Sequence, residues 1–236
     1  MLQACLNGGR AETFVPASAK QLAEAAHDAF VAGAEEFHIH PRNLERVETL
    51  HARAVAEAVS ALREKVGYAP IGLGSGAWIA PGGRKRHSDI ASWKTCPNYV
   101  SANFGEEDAL DVIKILNGHR VGFEAGLWTE RDTLRFIAEG PYDNLERVLI
   151  EMPDVAPDEA IDLSKACLTI LKKAGCDAPI LLHGEGESTW PCLQEAAKLG
   201  LQTRIGFEDT LLLPDGLPAP DNKALVDAAF ELGRLS

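Results

Sequence analysis

No stretch of this 236-residue chain approaches the roughly 18 consecutive apolar residues that a membrane-crossing helix needs, so no membrane partner is expected. Basic residues are in the minority: 23 Lys and Arg stand against 35 Asp and Glu, a net charge of −12. The densest basic cluster, Arg84-Lys85-Arg86, is a short run in a Gly-rich loop. A duplex-binding face needs a basic stripe that neutralises phosphates, so nucleic acid is excluded as a partner. The five cysteines are odd in number and form no C-x-x-C pair, which argues against a disulfide framework or a Cys-rich zinc site. That usage fits a reducing cytoplasm, and the absence of a basic start followed by an apolar run implies no export. With 25% charged and 46% hydrophobic residues the composition is that of a folded globular chain, which rules out disorder, collagen and coiled coil for the whole.

What is present is a strand-then-helix pattern repeated eight times. Strands are expected at 2–6, 36–40, 70–74, 98–103, 120–124, 147–151, 179–183 and 203–208. Most are short apolar runs without strict alternation, as parallel strands buried on both faces require. Helical spacing marks 19–32, 45–65, 108–116, 130–138, 157–173, 190–199 and 223–232, with a short helix near 88–93 inside the long loop 76–97. Eight βα units with no linker predict an α/β fold, a single TIM (β/α)8 barrel domain over 1–236. The competing doubly wound sheet is disfavoured because the first strand runs into Asn7-Gly8-Gly9-Arg10 and a long loop, not into a phosphate-cradling turn.

In a TIM barrel the C-terminal strand ends carry the active site, and the unusual polar residues cluster there: Asn7, His38, His40, Ser75, Ser101, Asn103, Glu124, Glu151, His183, Glu185, Arg204, Glu208 and Asp209. His38-Ile39-His40 is the sharpest motif. Residues i and i+2 of a strand face one side, so both imidazoles can meet one zinc-like ion, with a carboxylate as a third ligand. The bland alternative is a pair of inert, hydrogen-bonded histidines. In Arg204-Ile205-Gly206-Phe207-Glu208-Asp209, strand periodicity turns Arg204 and Glu208 to the same face, within reach of a shared ion or as a structural ion pair. Asp209 is then a candidate base whose pKa a metal and Arg204 would lower. Glu124 reads as a ligand-facing carboxylate or a partner of Arg204. His183 reads as a further ligand or an ordinary hydrogen-bonded histidine, and the cysteines as small packing residues.

Taken together, Ala4-Cys5-Leu6-Asn7-Gly8, Gly33-Ala34, His38-Ile39-His40-Pro41-Arg42, Ser101-Ala102-Asn103-Phe104 and Arg204 to Thr210 make the chain resemble the beta-keto acid cleavage enzymes. The ordered pair H-x-H-x-R and R-x-G-x-E-D is what makes the resemblance specific. It implies a (β/α)8 enzyme with one divalent ion, normally zinc, that takes a β-keto acid and acetyl-CoA and releases acetoacetate and a new acyl-CoA. It also implies a cytoplasmic homo-oligomer, dimer or tetramer. By position, His38, His40 and Glu208 look like the metal ligands, Asp209 like the base, and Arg204 and Glu124 like its charged partners. Ser101 and Asn103 look like substrate-holding residues. Ser75 is the hydroxyl kept at Gly74-Ser75-Gly76-Ala77, where family members often show two, and the loops after the first two strands are shorter than usual.

Arg10 stands where the aminohexanoate-cleaving members carry an acidic residue, so the expected substrate has a neutral or anionic distal group. The alternative for Arg10 is that it caps a neighbouring loop. Two other functions remain in view. An amidohydrolase-type metal-dependent hydrolase also uses H-x-H, but on its first strand and with a Lys or His ligand on strands four to six. A non-catalytic barrel that binds a metal or a small acid would have no use for a base beside the metal and the arginine.

Overall fold

The computed structural model describes residues 1–234. Eight strands alternate with eight helices among these residues: β1 (Leu2–Cys5), α1 (Ala19–Val31), β2 (Glu36–Ile39), α2 (Ala52–Val66), β3 (Ile71–Gly74), α3 (Arg86–Ala91), β4 (Tyr99–Asn103), α4 (Ala109–His119), β5 (Gly122–Leu127), α5 (Glu130–Glu139), β6 (Leu145–Met152), α6 (Pro157–Lys173), β7 (Ile180–Gly184), α7 (Thr189–Leu199), β8 (Thr203–Ile205) and α8 (Asn222–Arg234). The strands pair in parallel in the order β7-β6-β5-β4-β3-β2-β1-β8. Gln202, just before β8, closes the cylinder: its N–H donates to Ile180 O at 3.0 Å and its carbonyl accepts from Leu182 N at 3.0 Å. The fold is a TIM barrel, as the βα repeat predicts. Residues 235–236 of the expected domain lie outside the described residues.

Local chemistry accounts for the boundaries. Ser18 and Thr129 each close a capping box at the start of α1 and α5, and Pro157 opens α6 where its missing N–H costs nothing. Apolar side chains such as Phe37, Ile39, Leu73, Val100 and Val148 are buried between sheet and helices. The barrel interior is more polar than a typical aliphatic filling. Arg147 Nε stands 2.9 Å from Glu124 Oε1, and the same guanidinium pairs with Glu36 and lies 5.0 Å from the Tyr99 ring centroid. Gln3 Nε2 donates to Tyr99 Oη at 2.7 Å. Contacts among β1, β4, β5 and β6 of this kind are possible only across the inside of a closed barrel, and they form the floor beneath the site.

Three expected elements differ. The fifth strand, expected over 120–124, runs from Gly122 to Leu127, because Arg120 caps α4 with φ 58°. The helix expected from residue 45 begins only at Ala52; residues 41–51 form a loop in which Arg42 and Glu48 make an antiparallel bridge and Arg46 has φ 64°. The eighth strand ends at Ile205 instead of 208, because Gly206 O accepts the N–H groups of Asp209 (3.0 Å) and Thr210 (3.1 Å) and turns the chain.

Candidate active site

The C-terminal strand ends surround a cavity of about 550 Å³ lined by His38, His40, Ser75, Ser101, Asn103, Arg204, Glu208, Glu151, Glu185 and Arg10, with Trp78 and Trp128 among its walls. At one side the Nε2 atoms of His38 and His40 stand 3.1 Å apart. Glu208 Oε1 is 3.8 Å from the first and 3.4 Å from the second. One ligand atom from each of the three lies within 4.8 Å of the others. The two histidines come together by strand alternation, as the H-x-H spacing predicts. Glu208 does not arrive by strand alternation; the turn after Ile205 delivers it. Small residues make room: Gly8 has φ +48° and a Cβ there would stand 2.5 Å from Glu208 Cγ, while a Cβ at Gly74 would stand 2.5 Å from His40 Cε1.

The electrostatics call for a positive charge at this point. Burial lowers His38 to about 3, so its imidazole is neutral. Burial acts the same way on His40, but Glu208 and Glu48 outweigh it and raise that ring to about 10. With the ring so raised, an Nε2 proton supplies that positive charge when no ion is bound; Glu48 pairs with His40 Nδ1 and fixes a proton there, so an ion that displaces the Nε2 proton would meet the Nε2 lone pair. His38 Nδ1 and Glu208 Oε2 are buried without a hydrogen-bond partner among the described residues. Two imidazoles and a carboxylate, with orphaned polar atoms and a carboxylate behind one ring, are a donor set that fits zinc or a related divalent ion.

Arg204 Nη2 donates to Glu208 Oε1 at 3.0 Å and to Asp209 Oδ1 at 2.9 Å. Asp209 is fully buried and also accepts from Cys5 Sγ at 2.9 Å. Burial would raise its carboxyl, but Arg204 and His183 hold it below the ordinary aspartate value. Asp209 is not among the residues lining the cavity. Glu185 is: burial, reinforced by Glu151 and Asp209, pushes its carboxyl up to about 7. His183 sits between Asp209 (3.4 Å) and Glu151 (3.5 Å), which outweigh burial and Arg204 and raise it to about 9.

Of the residues expected to hold substrate on β3 and β4, two form a chain, Ser75 Oγ donating to Ser101 O at 2.6 Å and Ser101 Oγ to Glu124 Oε2 at 2.8 Å, while Asn103 Nδ2 donates separately to Glu106 Oε1 at 3.3 Å. Glu124 is fully buried and outside the cavity lining, and Arg147 partners it because β6 places that guanidinium directly against it, so it is neither the ligand-facing carboxylate nor the Arg204 partner that the sequence offers. Arg10 reaches the cavity wall, yet its Nε donates to Phe207 O (3.1 Å) and its Nη2 to Glu208 O (3.3 Å) and Asp209 O (3.2 Å), so it braces the turn that carries Glu208. Sequence reasoning missed Glu48, absorbed into an expected helix, and Arg147, set aside as the first residue of a strand. Pro41 and the Val47-Glu48-Thr49 alternation were the available signals for the former.

The model of the beta-keto acid cleavage enzyme family matches residues 1–235. The chain belongs to that family. Curated protein sequences give no match to this member of the beta-keto acid cleavage enzymes. Among solved structures, the complex of ObcA with oxaloacetate is 14% identical with a TM-score of 0.70, covering 95% of this chain and 65% of that one. The ternary complex of ObcA with a C4-CoA adduct and oxalate is 15% identical with a TM-score of 0.73, covering 94% and 64%. This beta-keto acid cleavage family member thus spans a little under two thirds of the ObcA chains. The 3-hexulose-6-phosphate synthase of Salmonella typhimurium is 11% identical with a TM-score of 0.59 and 98% coverage of both chains. At these identities the likeness is one of fold.

Proposed function

We propose that the chain is a divalent-metal-dependent β-keto acid cleavage enzyme that exchanges acyl groups between a β-keto acid and acetyl-CoA, giving acetoacetate and a new acyl-CoA. The observation that carries this reading is the His38–His40–Glu208 set, with its orphaned atoms, in a polar cavity of a chain from that family. A volume near 550 Å³ lies in the usual small-molecule range of about 300–1,000 Å³. The ObcA complexes, with oxaloacetate and with a C4-CoA adduct, support a keto acid and a CoA thioester as ligand classes. The odd cysteine count supports a reducing cytoplasm, and the family resemblance supports a dimer or tetramer.

Zinc or a similar ion would be held by His38, His40 and Glu208, and when bound it supplies Lewis-acid polarisation of a keto oxygen. Arg204, between Glu208 and Asp209, brings a fixed positive charge to the place where enolate charge develops. Ser75, Ser101 and Asn103 hold the substrate on the β3 and β4 side. A carboxylate takes the proton from the carbon between ketone and carboxylate. That carbon attacks the acetyl carbonyl, a C–C bond forms and the C–S bond breaks, releasing CoA thiolate. The thiolate adds to the original keto carbon, the bond from that carbon to the carbon that made the attack breaks, and the acyl-CoA leaves. The remaining carbanion takes the proton back as acetoacetate.

Asp209 is the base this reading assigns, kept ionised by Arg204 and His183. A second carboxyl has its own supporting observation: Glu185 lines the cavity, whereas Asp209 is enclosed, and a pKa of about 7 suits proton transfer near neutrality. The test of the function is a panel of β-keto acids mixed with acetyl-CoA and metal-loaded protein, read by mass spectrometry of acyl-CoA products. A new acyl-CoA from at least one member is expected. Metal binding with no new acyl-CoA from any member would leave a metal-binding barrel, and amide or ester hydrolysis would point to the amidohydrolase type.

A further inference from the structure

Of the four tryptophans, Trp93 is buried with Nε1 donating to Leu50 O at 2.8 Å, and Trp190 Nε1 donates to Leu212 O at 3.0 Å. Trp78 and Trp128 differ. They come from the loops after β3 and β5, line the cavity, and are 56% and 38% exposed. Their ring centroids are 6.3 Å apart at 44°, and neither indole nitrogen donates to a described residue. A Cβ at Gly76 would overlap the Trp78 ring, so one edge of that indole lies against the chain after β3 while the rest stays exposed. Exposed aromatic surface at the lip of a polar cavity is costly unless something covers it.

The same loop carries the chain's densest run of basic residues. Gly83 N donates to Ala77 O at 2.8 Å, which folds the turn Gly83–Lys85 back beside Trp78. Arg86 is buried and anchored to Ser75 O (2.7 Å) and Asp108 Oδ2 (2.9 Å), so the base of the loop is fixed. Arg84 is ion-paired to Asp111 at the surface, its side chain 66% exposed, and the Lys85 side chain is exposed without an ion pair to a described residue. Across the mouth stand Glu151, Asp154 and Glu185, which would repel a phosphate.

We infer that Trp78 and Trp128 hold the pantetheine arm of the acyl-thioester substrate, and that Arg84 and Lys85 receive the phosphates at its far end. This rests on the reaction proposed above, which must deliver a thioester carbon to the cavity while its charged end stays outside. Phosphate on the acidic side of the mouth is disfavoured, and in a chain of net charge −12 the loop that carries Trp78 also carries exposed cations outside the cavity.

Calorimetric titration of the metal-loaded protein with acetyl-CoA and with S-acetylpantetheine separates the two parts. Trp78→Ala and Trp128→Ala are expected to weaken both ligands roughly tenfold, with Trp78→Phe recovering most of the loss. The double variant Arg84→Glu, Lys85→Glu is expected to weaken acetyl-CoA alone, by roughly tenfold at low salt and by less at high salt. Wild-type binding of acetyl-CoA that the tryptophan variants retain would overturn this inference and leave the reaction standing. Failure of the wild type to bind either ligand would overturn both. Loss of an oligomer in the tryptophan variants at unchanged affinity would assign the pair to a subunit contact instead.

Discussion

Glu48 offers the sharpest perturbation of the metal site, because it touches one ligand and no other part of the cluster. Its carboxylate pairs with His40 Nδ1 where both side chains are largely buried, 14% and 5% exposed. A charge-assisted hydrogen bond in such a place is worth about 1.5–3 kcal/mol, and removing the acceptor leaves a buried N–H unsatisfied. With tenfold in affinity per about 1.4 kcal/mol, Glu48→Ala should weaken metal binding roughly 10–100-fold, the range usual for carboxylates behind ligating histidines. Glu48→Gln keeps an acceptor without the charge and should fall between. Competition against a chromophoric chelator measures this directly, with far-ultraviolet circular dichroism to verify the fold. Affinity within twofold of wild type in Glu48→Ala would refute the reasoning, because His40 would then be oriented without its partner.

Other outcomes follow from the same geometry. Asp209→Asn should abolish turnover with metal retained, and Glu185→Gln should leave most of it; the opposite pattern in steady-state kinetics makes Glu185 the base. Glu185 binds its proton more tightly folded than unfolded, so the native state holds more protons between the ordinary carboxyl value of 4.5 and about 7, and its contribution to stability falls as pH rises through that window. Glu185→Gln should therefore raise the melting temperature above neutral pH relative to wild type, about 2–4 °C per kcal/mol at this size, and not at pH near 4; an equal shift at both pH values would contradict the burial argument. Gly74→Ala should displace His40 and release the metal in a still-folded barrel, seen by elemental analysis of the purified variant. Arg10→Ala should loosen the turn at 207–209 and lower metal retention and melting temperature together; an altered substrate preference with both unchanged would instead place Arg10 against the substrate's distal group.

The barrel was legible because each strand is a short apolar run bounded by turn residues, and each run ends in a polar side chain. His38 and His40 were legible for a purely local reason: pleat alternation places i and i+2 together whatever the rest of the chain does. Glu208 was identified for the wrong geometric reason. Strand periodicity implies that it shares a face with Arg204, but Gly206 turns the backbone and the same two side chains meet across the turn. The Arg147–Glu124 pair was not legible, since it depends on the register between β5 and β6, which no single strand encodes. Glu48 was hidden by a helical pattern that tertiary contacts overrode: the bridge to Arg42 and the ion pair to His40 hold residues 41–51 out of the helix. Arg10 shows the limit of reading charge by position, because the backbone carbonyls of Phe207 to Asp209 that engage its donors leave no trace in residue type.

The central claim is that this site exchanges acyl groups between a β-keto acid and acetyl-CoA. The most direct measurement uses acetyl-CoA labelled isotopically in its acetyl group, with metal-loaded protein and a β-keto acid that the product screen has shown to react. The account predicts that the label appears in acetoacetate and that the new acyl-CoA carries only the unlabelled acyl portion of the keto acid. Label in the new acyl-CoA, or unlabelled keto acid cleaved without consumption of acetyl-CoA, would contradict it.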